Sequence, residues 1–275
     1  MNFLDVPDGR IAWRETGAGT PIIWIHGLPL DSSSWRHQEE HFAHKARNIF
    51  LDLRGYGQST KIPAGTDDVT QLYVDDVTAL VRHLGVQRIV LVGFASAGHV
   101  ALRFAAQHPD VLAYLVTING SPRFRKGPDW PWGFDDAGIA HFTDAAERGG
   151  IEGITDAVLD PGLVFNDVDR EAAERIRAWF RPMSLNAGVD TLLGLFNGIS
   201  LDDDRWLLKD ITAPTLIISS TAGQEVPSAV GLFLRGQIAK ARLVELPGVD
   251  HFAFATRPEL INLLIEQVLP VGRED

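Results

Sequence analysis

The segment from Arg88 to Gln107 narrows the fold more than any other part of the chain. Arg88 to Val92 is a continuous apolar run of the kind that forms a strand buried on both faces, and a helical pattern follows at once. A strand that passes into a helix with no linker is half of a βαβ unit, and such units build parallel sheets. Between the two patterns lies Gly93-Phe94-Ala95-Ser96-Ala97-Gly98, in which every residue but Phe94 is small. Small residues let the chain reverse sharply there and lift one side chain clear of the turn.

The same alternation recurs along the chain. Residues up to Val6 and from Ile11 to Glu15 predict a hairpin about Pro7-Asp8-Gly9. Pro21–Ile25 and Asn48–Leu51 predict buried strands. Val69 to Leu84 carries Tyr73, Val77, Leu80, Val81 and Leu84 at helical spacing, with Gly85 at the C-cap. Leu112–Ile118, Pro214–Ser219 and Arg242–Leu246 are further strands, with helices over Gly231–Ala239 and Pro258–Leu269. From Ser121 to Lys209 no parallel-sheet strand is legible, only amphipathic pieces among Pro, Gly, Asp and Trp. The expected fold is α/β: a doubly wound, mostly parallel sheet formed by residues 1–120 and 210–275, with a helical cap inserted over 121–209.

A net charge of −11 leaves no basic surface for nucleic acid or an anionic membrane. With no cysteine there is no disulfide, thiolate metal site or thiol nucleophile. No signal-peptide pattern opens the chain and no apolar run reaches membrane-spanning length, so the expectation is a cytoplasmic protein. No cofactor motif stands out. Gly17-Ala18-Gly19-Thr20 is too short for a dinucleotide loop. His37-Gln38-Glu39-Glu40-His41 matches an inverted zinc-protease pattern but lies on a polar helix face without a third ligand, so no metal is expected.

The turn at residue 95 has the setting of a nucleophile elbow, G-x-S-x-G, between strand and helix. If Ser96 were the apex, bulky Phe94 would stand two residues before it, where a small side chain is needed. With residue 95 at the apex, Gly93 precedes and Ala97 and Gly98 follow. Ala95 therefore holds the nucleophile position, and the Ser96 side chain is expected to point into the helix turn.

On these residues the chain resembles the α/β-hydrolase family over nearly its whole length. His26-Gly27-Leu28-Pro29 is similar to the family's H-G-x-P loop, Asp52 to Ser59 to its D-x-x-G-x-G-x-S loop, and Pro247 to Phe252 to the segment of its catalytic histidine. Asp250 departs from that pattern, where glycine is more usual. Leu115 to Trp130-Pro131 also resembles pimeloyl-carrier-protein methyl ester esterases. The resemblance implies His251 as general base, the amides of Leu28 and Ser96 as oxyanion donors, and His26 as a structural brace. The family's triad aspartate aligns with Gly223, so Glu225, or Asn119 at the end of the preceding strand, is the expected partner of His251. Asn119 carries no charge, and neutralising a triad acid costs about 10⁴ in rate.

The implied function is hydrolysis of carboxylic esters, lactones or thioesters with apolar acyl or ring groups, here silenced by a serine-to-alanine change at 95. Trp130 and Trp132, in an aromatic insertion, are expected to bind that apolar substrate. The alternatives are a naturally serine-less lyase, isomerase, cyclase or cofactor-free oxygenase using His251, and a non-catalytic ligand receptor. His99 is expected in the core or behind the site. Arg123, Arg125 and Lys126 are expected to be a solvated basic cluster.

Overall fold

The computed structural model describes residues 1–198, 201–222 and 226–269. Eight strands form one sheet in the order β1-β2-β4-β3-β5-β6-β7-β8. These are β1 Asn2–Val6, β2 Gly9–Thr16, β3 Pro21–Ile25, β4 Arg47–Asp52, β5 Ile89–Phe94, β6 Leu112–Ile118, β7 Thr215–Ser220 and β8 Ala241–Leu246. The β1–β2 hairpin is antiparallel and β2 joins β4 antiparallel; all later pairings are parallel. The outcome is the expected mostly parallel sheet, with helices on both sides.

Helix α1 (Arg36–Phe42) follows β3, α2 (Val69–Leu84) follows β4, and α3 (Ser96–Gln107) follows β5. Asp68 caps α2 by accepting from Gln71 N, and Gly85 ends it in the left-handed conformation at φ 63°. Between β6 and β7 the chain leaves the sheet for α4 (Asp136–Val158), α5 (Pro161–Val164), α6 (Arg170–Ala187) and α7 (Val189–Asn197). It then returns through α8 (Ser228–Gln237), α9 (Ala253–Thr256) and α10 (Pro258–Glu266). The helix expected over Gly231–Ala239 runs instead over Ser228–Gln237, opening directly after Pro227. α2 packs on α3, and α1 on α10.

Strand β5 lies at the centre, between β3 and β6, and each of its residues is buried. Burying a Val, Leu or Ile side chain contributes about 1.5–3 kcal/mol, which is why so apolar a run takes an interior position. Two glycines let α3 fold back onto this strand. A Cβ on Gly93 would come within 2.5 Å of Ala97 O, and one on Gly98 within 2.6 Å of Gly120 Cα. The close approach aims the β5–α3 turn at the carboxyl ends of the parallel strands, where ligands of open α/β sheets bind.

Candidate active site

Ala95 sits at the apex between β5 and α3 with φ 47° and ψ −114°. A non-glycine residue rarely adopts such angles, and positions that do are held by their surroundings. Here Ala95 N donates to Ile118 O at 2.9 Å, and Gly98 N returns to Ala95 O at 2.9 Å. The methyl side chain of Ala95, in a residue 7% exposed, offers no heteroatom for attack on a substrate.

The turn after β3 lies beside this apex. Leu53 N donates to His26 Nε2 at 3.1 Å, so the proton is on Nδ1, which faces Gly27 O at 3.2 Å. Burial lowers the pKa of His26 against the pull of Asp52, keeping the ring neutral as this bonding requires. Asp52 in turn accepts from Ser32 N and Gln58 N, both at 2.9 Å. The loop from 52 to 59 thus braces the turn that carries Leu28.

Leu28 N donates to Ser96 Oγ at 3.0 Å. The serine side chain therefore reaches across to the 26–29 turn, not into its own helix as expected from sequence. Local helical geometry does not decide its direction; the approach of a backbone donor from a segment 68 residues away does.

His251 is buried, with 3% of its surface exposed, in the turn between β8 and α9. Its ring lies 5.0 Å from that of Phe94 and 5.3 Å from that of Phe252. Asn119, at φ 50° just past β6, donates to His251 O at 2.7 Å and to Ser220 Oγ at 3.0 Å, and accepts from Ser220 N at 2.8 Å. Asn119 thus holds the backbone of the histidine loop. Glu225, the other expected partner, and Gly223 lie outside the described residues.

A carboxyl group that the sequence marked only as a departure from the family pattern lies next door. Asp250 is fully buried, and its Oδ1 accepts from Thr256 Oγ1 at 3.0 Å. Burial pushes its pKa up to about 6, helped by nearby Asp167 and opposed by Thr256 and His251. Its unusual place in the histidine segment was the available signal; its burial was not legible.

The two tryptophans expected to bind substrate pack against each other and against Phe233. Trp130 is buried, with its ring 4.6 Å from Trp132 and 5.0 Å from Phe233 of α8, and its Nε1 donates to Arg123 O at 3.2 Å. Both rings pack where the insertion joins α8. The insertion meets the histidine loop instead through Phe165 and Phe180, whose rings lie 5.4 and 5.0 Å from Phe252.

The remaining candidates resolve into ion pairs and packing. His99 on α3 is buried, with Nε2 2.7 Å from Asp204 Oδ2, and Arg103 Nε meets the same oxygen at 2.6 Å. Burial works to raise the pKa of Asp204, but the bonds from His99 and Arg103 outweigh it and hold it low. Arg103 also grips Asp68 at 2.7 Å, tying α3 to the start of α2. The basic cluster is paired: Arg123 with Asp203 at 2.7 Å, Lys126 with Asp135 at 3.0 Å, and Arg125 with Asp136. His41 turns to Glu266 at 2.9 Å while the ring of His37 stands edge-on to Trp179, so the two diverge.

Set against known proteins, residues 20–258 match the family model described as alpha/beta hydrolase fold. The AB hydrolase superfamily protein YisY of Bacillus subtilis is 31% identical over 92% of this chain and 93% of its own length. A pimeloyl-[acyl-carrier protein] methyl ester esterase of Nitrosomonas europaea is 26% identical over 90% of this chain and 94% of its own. A bromoperoxidase from Bacillus anthracis superposes with a TM-score of 0.87 at 25% identity, over 94% of this chain and 95% of the other.

Proposed function

The chain belongs to the α/β-hydrolase fold family, and we propose that within it this protein is a hydrolase of carboxylic esters, lactones or thioesters whose nucleophilic position is held by Ala95. One observation carries the reading. Ala95 keeps the positive φ of an elbow apex, an angle alanine disfavours, as though the position were shaped for a side chain that must stand clear of the backbone. The methyl ester esterase among the relatives is in keeping with ester chemistry. The insertion, residues 121–209, acts in this reading as a cap, with Phe165 and Phe180 covering an apolar group beside His251.

With serine at 95, the hydroxyl attacks the substrate carbonyl while His251 takes its proton. The same histidine later returns that proton to the leaving group, and water releases the acyl chain by the reverse use of the base. With alanine, the ligand is held and no acyl-enzyme forms. Loss of a serine nucleophile costs on the order of 10⁶ in kcat. Ala95→Ser is therefore expected to hydrolyse p-nitrophenyl butyrate with a burst and steady turnover, where the unmodified chain shows neither. A correctly folded Ala95→Ser protein without burst or turnover sinks this reading.

A second reading is favoured by the hydroxyl at Ser96, one residue from the apex and bonded to Leu28 N. There the chain works without an acyl intermediate, with His251 moving a proton for a lyase, isomerase, cyclase or cofactor-free oxygenase. Incubation of the unmodified chain with candidate ligands in ¹⁸O-labelled water separates the two. An unlabelled new product supports the second reading, and intact ligand supports the first.

A further inference from the structure

Ala95 and Ser96 are best understood as a pair. The apex side chain has no oxygen, and the residue after it carries a hydroxyl, with Ser96 buried to 8% exposure at the first turn of α3. Ser96 Oγ accepts from Leu28 N at 3.0 Å. A hydroxyl has two lone pairs and one proton. One lone pair is thus occupied, and among the described residues no acceptor takes the proton. The amide proton of Leu28 is engaged by the serine oxygen.

We infer that the Ser96 hydroxyl is the ligand-contacting donor of this turn: Leu28 N–H donates to Oγ, and the Ser96 O–H donates to an oxygen of the ligand. The oxygen it selects is a hydrogen-bond acceptor carrying full or partial negative charge, such as a carbonyl, an enolate or a carboxylate. Two features strengthen the donor. An N–H bond into Oγ polarises the O–H, since linked hydrogen bonds reinforce one another where the local dielectric is low. The N-terminus of α3, a helix of 12 residues, favours negative charge at the same place. The hydroxyl has in effect moved one residue along the turn, from the apex where it attacks to the wall where it donates. The inference rests on the reading that a carbonyl-type ligand occupies this site, and it concerns which group meets that ligand's oxygen.

Two measurements on the full-length chain test it. In the Ala95→Ser background, adding Ser96→Ala is expected to lower kcat/KM for p-nitrophenyl butyrate about tenfold, chiefly through kcat, as loss of one donor implies. Ser96→Thr in that background restores a hydroxyl and recovers most of the loss. Equal or faster turnover after Ser96→Ala overturns the inference, because the Leu28 amide then serves the substrate directly and the hydroxyl only competes for it. The second measurement needs no turnover. Butyrate titrated into the unmodified chain is expected to shift the Leu28 and Ser96 amide resonances, and Ser96→Ala to weaken that binding about tenfold. Unchanged or tighter binding in Ser96→Ala overturns the inference, and so does the absence of any amide response to butyrate. If Ala95→Ser fails to turn over while the butyrate response and its dependence on Ser96 persist, the hydrolase reading falls and this one stands.

Discussion

The side-chain amide of Asn119 holds the main-chain carbonyl of His251 across 2.7 Å, so the end of β6 positions the histidine loop by its backbone. The same amide group bonds Ser220 Oγ, and its oxygen takes Ser220 N. Asn119→Asp keeps the shape but removes both N–H donors and sets a carboxylate against a carbonyl. We expect a loss of about 1–3 kcal/mol in urea unfolding, as for a buried acceptor left unmade. Turnover in the Ala95→Ser background should fall with it. Unchanged stability and turnover would show that the clamp does not set the position of His251.

Asp250 gives the protein a pH dependence of definite sign. Its pKa stands near 6 in the folded chain against the ordinary 3.8, so the folded state holds a proton that the unfolded chain has released. Its contribution to stability is full below the unfolded value and is lost as pH rises through the folded one. Between pH 4 and 6 this amounts to on the order of 3 kcal/mol. Asp250→Asn should therefore unfold at higher temperature at pH 7.5 and show a flatter stability profile from pH 4 to 6. A variant less stable than the parent at pH 7.5 would contradict the assigned direction.

Ala95 bears the angle of the apex without using it. Relief of positive φ is worth roughly 1–3 kcal/mol, offset by about 0.5–1 kcal/mol from the freer unfolded chain that glycine brings. Ala95→Gly should thus raise the urea midpoint by an amount equivalent to about 1 kcal/mol, while Ala95→Ser leaves it nearly unchanged. A lower midpoint for Ala95→Gly would mean that the turn stores no strain.

Arg54 of the loop that braces His26 and Asp76 of α2 form a buried two-point ion pair, at 2.8 and 2.7 Å. Asp76→Ala leaves the guanidinium buried without its carboxylate, a change that costs about 3–5 kcal/mol. Arg54→Met with Asp76→Leu, which removes both charges, should recover most of that loss. Both effects are readable by thermal unfolding, and a mild Asp76→Ala phenotype would deny the pair its structural role.

The parallel strands were legible because burial on both faces leaves continuous apolar runs, as at Ile89–Phe94. Their order was not, since a crossover that sets β4 outside β3 leaves no local mark on either strand. Ala95 was legible as the apex from the size of Gly93 and Phe94. The direction of Ser96 depends on Leu28, and the burial of Asp250 on Thr256 and the chain about it; neither is encoded in neighbouring residues. The packing of Trp130 and Trp132 on Phe233 was not legible either, since the aromatic composition of the insertion does not say which rings meet.

Asp204, just past the inserted helices, accepts from both His99 and Arg103 on the helix that follows the apex. Its neighbour Asp203 pairs with Arg123 at the start of the same insertion, and Asp202 accepts from Thr70 on α2. The insertion is therefore not an exchangeable cassette. A chimera that takes residues 121–209 from a relative lacking an acid at 204 would leave Arg103 and His99 buried without their shared partner. A crossover placed before Leu201 would keep Asp202 and Asp204 with the Arg103 that both of them pair with.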